Sequence, residues 1–299
     1  MLVLVFVHAC VCWWLGLPVE FRVYRLRLVF RPTRRLQLRV WSGAVAGKIF
    51  YEALTRAGMV VERGGFFRVT PLYRVGSRVP VGGWLGEGEP YEFQAFVWSV
   101  PGFVDASDVV RAFNTGVMMV GGDFEVESVE VETLVHRIPR PDENLLEGEP
   151  IAYTLQIDYM PTYYRFHGST IAYPSPRRML ASIARRISAT TTIDYREHAR
   201  QMAEYIELIA DQTRRQRIPI THGKQQLVFH GTAKYYVVAP RKLAETLDRW
   251  LEAAKHFGLG GSPGLGLGHI KSIVRQPPPP KTPPPVTPWA EPLAEDTLQ

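Results

Sequence analysis

The first hydrophobic pattern along the chain is an alternation over residues 20–31. Phe21, Val23, Leu26 and Leu28 interleave with Arg22, Arg25 and Arg27, which predicts a strand with one dry face and one arginine face. Ser42 stands where a helix cap belongs, and Val45, Ile49, Phe50, Ala53 and Leu54 form an apolar stripe running to about Ala57, with Gly58 as the breaker. Short strands follow on either side of Gly64-Gly65 (MVVE, 59–62, and FFRVT, 66–70). A strand over Glu92–Val100, a helix over Asp105–Asn114 and a strand over Phe124–Val135 complete the half. The order is strand, helix, two strands, helix, strand.

The second half repeats this grammar. Ile151–Tyr159 alternates as a strand, and Pro176 suits the first turn of a helix to about Ser188. Tyr195, Met202, Ile206 and Ile209 predict a further long amphipathic helix over Ile193–Arg214, an insertion relative to the first half. Leu227–Val238 reads as a strand, Arg241–His256 as a helix with Leu243, Leu247, Leu251 and Ala254 inward, and His269–Val274 as a last strand. The fold class expected is α+β, two tandem ferredoxin-like β-α-β-β-α-β domains over 19–148 and 149–275, joined by a polar, Pro-containing linker near 140–150.

Charge adds a second layer. Of 299 residues 35 are Lys or Arg and 29 Asp or Glu, a net +6, and 28 of the bases are Arg. Residues 19–78 balance at +10, residues 79–148 at −10 and residues 149–275 at +8. That asymmetry is expected of a polyanion binder, and equally of an Arg-rich surface with ordinary solvated faces. Cys10 and Cys12 are the two cysteines, which excludes a disulfide framework and a four-cysteine zinc site. No histidine pair has the spacing of a zinc ligand set.

The ends stand apart. Met1–Pro18 is uncharged and apolar, and reads as a mis-set start or poorly packed extension, with a signal segment or membrane anchor as alternatives. Residues 276–299 are Pro-rich and read as an extended, disordered tail.

The chemistry concentrates in Phe257–His269, FGLGGSPGLGLGH, where Gly258, Gly260, Gly266 and Gly268 fit G-h-G-x5-G-h-G with h apolar. Glycines permit positive φ and close backbone approach, so successive amides can converge on a phosphate oxygen. The loop follows a helix, whose C-terminus repels anions, so attraction requires the flanking Lys255, His256, His269 and Lys271. Neither a Walker A loop nor a dinucleotide-binding turn has this order. Arg177, Arg178, Arg185 and Arg186 recur at spacing seven or eight and predict one helix face able to track phosphates. Arg22, Arg25, Arg27, Arg34, Arg35 and Arg39 predict a second basic patch, with Trp41, Phe66 and Phe67 available to stack bases.

In this position the loop resembles the C-terminal signature of the CRISPR repeat-processing endoribonucleases, the Cas six family of the RAMP superfamily. TIAYPSPRRMLASIARRI (170–187) and QLVFHGTAKYYVV (226–238) resemble that family's second domain, and VWSGAVAGKIFYEAL (40–54) and FFRVTPLYR (66–74) its first helix and following strand. The resemblance spans roughly 19–275. It implies a cytoplasmic RNA-binding enzyme without metal or other cofactor. Its partners would be CRISPR repeat RNA and Cas effector-complex subunits, with no membrane. The reaction implied is attack of a ribose 2′-OH on the adjacent phosphate to leave a 2′,3′-cyclic phosphate.

Such a reaction needs a base, a cation for the phosphorane and a proton donor. Many relatives place a histidine just after the first helix, but residues 56–65 here read RAGMVVERGG. What remains is Tyr51, where the family often has a tyrosine, with Lys48 one turn away as the cation. His167 and His222, each before a glycine in a polar loop, are proton-shuttle candidates, and His167 completes the catalytic set. His136 and His198 read as surface groups, and His230 and His256 as packing or capping residues. Two rivals stay open: a non-catalytic RAMP subunit that holds guide RNA, and an exported or anchored binding protein.

Overall fold

The computed structural model describes residues 18–56, 59, 66–102, 104–114, 119–120, 122–141, 144–221 and 223–278. The first domain runs β1 (Val19–Pro32), α1 (Ser42–Arg56), β2 (Phe67–Val69), β3 (Tyr91–Trp98), α2 (Ala106–Asn114) and β4 (Phe124–Ile138). Its main strands lie in the order β2-β3-β1-β4, every neighbour antiparallel. The second domain runs β5 (Pro150–Thr162), α3 (Pro176–Thr191), α4 (Arg196–Ala203), β6 (Ile206–Thr221), β7 (Lys224–Pro240), α5 (Arg241–Phe257) and β8 (Ile270–Gln276). Its order is β6-β7-β5-β8. Both sheets therefore place their strands second-third-first-fourth, the ferredoxin-like arrangement twice over.

One element departs from its expected state. Ile193–Arg214 is not a long helix: α4 ends at Ala203 and the chain enters β6 at Ile206. Ile206 continues the helical stripe of Tyr195 and Met202 and equally begins a strand alternation with Leu208, and pairing with β7 from Ile206 to Thr221 decides for the strand. Pro219 is tolerated because β6 is an edge strand. The C-terminal part of what read as an inserted helix thus opens the second strand that the fold requires, and only the short α4 remains helical. Met1–Leu17 and Pro279–Gln299 lie outside the described residues, as does most of MVVE. No helix among the described residues is long and apolar enough to cross a membrane.

Burial follows the alternation. Leu26, Leu28 and Phe30 of β1 point to the first-domain core with Ile49, Phe50 and Leu54 of α1. Phe21 and Val23, on the opposite face, join Phe96, Trp98 and Ile138 in a cluster continuous with Trp250, Phe257 and Leu259 of the second domain. Phe257 is the hinge pin of this interface, 5.2 Å from Phe21 and 4.9 Å from Trp98 between ring centroids.

Farther along that face of β1 the arginines are not free for a polyanion. Arg25 pairs with Glu132, Arg27 with Glu92 and with Glu130 (3.0 Å), Arg31 with Glu127 (3.1 Å), and Arg34 with Asp123 (2.9 Å). The +10 and −10 segments are cross-strand partners that neutralise one another. The second basic patch is corrected for Arg25, Arg27 and Arg34; Arg22 and Arg39 are exposed, and Arg35 lies 4.6 Å over the Trp84 ring. Its expected stacking rings are occupied too: Phe66 is fully buried, and Trp41 and Phe67 pack against the domain cores.

Candidate nucleic-acid interface

The glycine loop runs from Gly258 to Gly268 and includes a single 3-10 turn at Pro263–Leu265. Its glycines let backbone meet backbone. A Cβ on Gly268 would lie 1.7 Å from the carbonyl oxygen of Leu259, and one on Gly260 would lie 2.0 Å from that of Tyr163. On its far side the loop touches α1, where a Cβ on Gly47 would meet the Gly264 carbonyl at 1.9 Å. The loop therefore spans both domains, resting on the end of β5 and on the first turns of α1.

This contact revises the role of the amides. The NH of Gly258 donates to Ala254, that of Gly266 to Pro263 and that of Gly268 to Pro161, all through backbone carbonyls, and that of Gly260 to Ser182 Oγ. The four glycine amides expected to cradle a phosphate are thus engaged within the protein. The amides of Ser262, Gly264 and Leu267 have no such partner among the described residues. The flanking cations are also committed. Lys255 pairs with Glu252, Lys271 with Asp158 at 3.7 Å, and His269 Nδ1 accepts from buried Arg68 at 2.6 Å. His256 Nδ1 lies 3.0 Å from His136 Nε2 in a half-buried pair; burial first, then the neighbouring His136 and Arg68, pull His256 down to about 4. His136 is buried beneath Phe21 rather than on the surface, and His198 is buried as well.

Positive charge instead gathers beside the loop. Ser175 caps α3 through its Oγ, which accepts from the Arg178 NH, and Pro176 fills the first turn. The helix so started presents Arg178 and Arg185 to a cleft of about 310 Å³, also lined by Tyr163, Arg165, Ser182 and Ser262. A second cleft of about 230 Å³ shares Arg178 and adds Arg177, Arg196 and Arg200. Neither lining contains a carboxylate. Arg196 and Arg200 are held by Asp194 and Glu197, whereas Arg178 lies 3.7 Å over the Phe166 ring. Arg186 does not share the exposed face: it is buried and donates to the carbonyls of Gly258 and Gly260. A fourth basic element, unexpected from the sequence, is the β6–β7 ribbon with Arg214, Arg215, Arg217 and Lys224 exposed.

The three expected catalytic residues come from different elements. Lys48 and Tyr51 lie on α1; Lys48 pairs with Glu52 at 3.4 Å, and Tyr51 is one turn beyond Gly47 and hence beyond the loop contact. His167 sits in the second domain, at the exposed tip of the Tyr164–Ile171 hairpin, in a left-handed conformation (φ 46) against Phe166. His222 lies outside the described residues. Arg165 and Arg68 were missed by sequence reading. Arg68 alternates with Phe67 and Val69 and so faces away from the first-domain core, toward the end of α5, and no signal in the sequence marks that face as buried.

Residues 159–270 match the family model of the CRISPR-associated endoribonuclease Cas6. That match lies within the second domain. Solved structures extend the likeness of fold to the rest of the chain. A Cas6 product complex matches at 19% identity and TM-score 0.54, covering 85% of this chain and 99% of its own. A Thermus thermophilus Cas6 matches at 13% and 0.54, covering 85% and 98%. A partial Cas6-RT-Cas1–Cas2 complex matches at 14% and 0.53, covering 88% of this chain and 47% of that one. No curated protein matches the sequence. The Cas6 match encloses the arginine cleft of α3 and the glycine loop in one segment.

Proposed function

We propose that the protein binds CRISPR repeat RNA and cleaves precursor CRISPR RNA without metal. A ribose 2′-OH attacks the adjacent phosphate, and the products carry a 2′,3′-cyclic phosphate and a 5′-OH. The observation that carries this reading is the Cas6 match over 159–270, which joins the loop to the cleft. Charge supports it: a lining of arginines, tyrosine and serines without a carboxylate suits a phosphodiester backbone.

In this reading the RNA backbone follows α3 past Arg177, Arg178 and Arg185, meets Arg165, and crosses the loop at Ser262 and Gly264 toward α1. Gly258, Gly260, Gly266 and Gly268 act through the shape they permit, and Arg186, Lys255, His256, His269 and Lys271 support the loop from behind. Tyr51 transfers the proton and Lys48 steadies the phosphorane, because that turn of α1 adjoins the loop. His167, on the cleft side through Phe166 and Arg178, is the alternative proton shuttle. In this reading the product passes to other Cas proteins; the partial Cas6-RT-Cas1–Cas2 complex shows a similar fold within an assembly of Cas proteins. A second reading, an RNA-holding subunit that does not cut, is favoured by one observation: His136, His256 and His269 are all drawn into the domain interface.

The test mixes the full chain with cognate repeat RNA in chelator. One discrete cut with a cyclic-phosphate end supports the enzyme. Tight binding without a cut selects the subunit, and cleavage only after a divalent ion is restored removes the proposed mechanism.

A further inference from the structure

Two arginines grip the glycine loop from opposite sides, one from each domain. Arg68 rises from β2 fully buried, donates to the carbonyls of Lys255 and His256 at the end of α5, and donates to His269 Nδ1 at 2.6 Å. Its guanidinium lies 4.5 Å over the Phe96 ring. Arg186 comes from α3 and donates to the carbonyls of Gly258 and Gly260. The two converge on one residue. A Cβ at Gly258 would lie 2.7 Å from Arg68 Cδ, while the Gly258 carbonyl accepts from Arg186.

Neither arginine has a carboxylate partner among the described residues. Burial draws both down to about 9, so each remains a cation at neutral pH. Placing two uncompensated cations in an interior is costly, and apolar side chains would cement the domains more cheaply. What a guanidinium adds is a rigid fork of donors that fixes several carbonyls at once. The carbonyls chosen are the last of α5, at the negative end of the helix dipole, and the first of the loop.

We propose that Arg68 and Arg186 are positioning residues that lock the loop in one conformation. Gly261, Ser262 and Gly264 are thereby presented to RNA with the geometry that cleavage requires. The inference rests on the ribonuclease reading for its consequence, but not for the lock itself. Arg68→Met and Arg186→Met remove the donors and keep most of the side-chain length; Gly258→Ala pushes on the same clamp from the loop side.

Two measurements decide. Hydrogen exchange on the full chain without RNA reads the lock: the amides of Leu259, Gly260 and Gly268 lose protection about tenfold or more in each variant while the sheet amides keep theirs. Unchanged loop protection overturns the proposal, as does uniform loss across both domains in all three variants. Repeat-RNA binding and single-turnover cleavage read the consequence. Neither guanidinium faces solvent, so affinity and its salt slope stay within about threefold of the parent, while the cleavage rate falls about tenfold or more. Cleavage within twofold of the parent, or affinity and rate falling in parallel, overturns the proposal. A parent chain that does not cut repeat RNA at all sinks the ribonuclease reading instead, and the exchange experiment still decides the lock.

Discussion

If the cleft on α3 carries the RNA backbone, its arginines set the salt dependence of binding. Arg165, Arg178 and Arg185 line it together, and no carboxylate in its lining competes for them. Each phosphate neutralised on a single strand contributes about 0.7 to the slope of log affinity against log salt, so three contacts contribute about 2. Between 50 and 200 mM salt, a fourfold change, that slope difference amounts to roughly 18-fold in affinity. The combined Arg165→Met, Arg178→Met and Arg185→Met variant is therefore expected to bind weakly at 50 mM and to lose little more at 200 mM. Fluorescence anisotropy with labelled repeat RNA across a salt series measures both slopes. Arg137→Met is the matched control: it also removes an exposed arginine, but one paired with Glu20 at 3.2 Å on the first-domain sheet, and its slope should equal the parent's. Equal slopes for parent and triple variant would refute the assignment of the cleft, whatever the change in affinity.

Three further outcomes are expected. Gly47→Ala places a methyl group 1.9 Å from the Gly264 carbonyl; overpacking of this kind costs about 2 kcal/mol, a fall of about 4–8 °C in Tm by calorimetry. Tyr51→Phe should slow single-turnover cleavage about a hundredfold with binding retained, and a rate within twofold of the parent removes the hydroxyl from the mechanism. Acid should weaken the domain interface. His256 is held down to about 4 by burial, with His136, Arg68 and Arg25 adding repulsion and Glu252 opposing; His136 and His269 are also lowered, by burial first. A histidine lowered in the folded state binds its proton more readily when unfolded. Stability is therefore whole above about pH 6.5 and declines toward pH 4, by about 1.4 kcal/mol per pH unit for His256 alone. Urea midpoints that stay flat between pH 6.5 and 4 would contradict the packing assigned to the pair.

Alternation and capping made most of the architecture legible. β1, α1, β3, α2, β4, β5, α3, β7, α5 and β8 stand within a few residues of where hydrophobic period and caps put them, because each buries an apolar face against a core, β1 and β3 adding a second at the domain interface. The failure at Ile193–Arg214 has a specific cause. Apolar residues there are sparse enough to fit periods of 3.6 and of 2, and the arbiter is hydrogen bonding to β7, a partner some 20 residues away in sequence. Arg214 then lies with Arg215 and Arg217 on the exposed β6–β7 ribbon rather than at the end of a helix.

Charge and glycine were harder to read, for one shared reason: both act through what they face. Arg25, Arg27 and Arg34 look like Arg178 and Arg185 in a sequence, but β4 and the residue before it bring a carboxylate to each of the first three, and none lines the cleft. The clustering of glycines at 258–268 correctly marks close approach, yet what approaches is the protein's own backbone at Tyr163, Leu259 and Gly47. An anion can then reach only the partly exposed amides that this packing leaves over, at Ser262 and Gly264, since Leu267 is buried. The loop is accordingly a rigid bridge between two domains with one narrow polar edge. Recognition of a long polyanion by such an edge depends on the arginines beside it for attraction and on the loop for register, a division of labour that positioning by shape and attraction by charge make physically distinct.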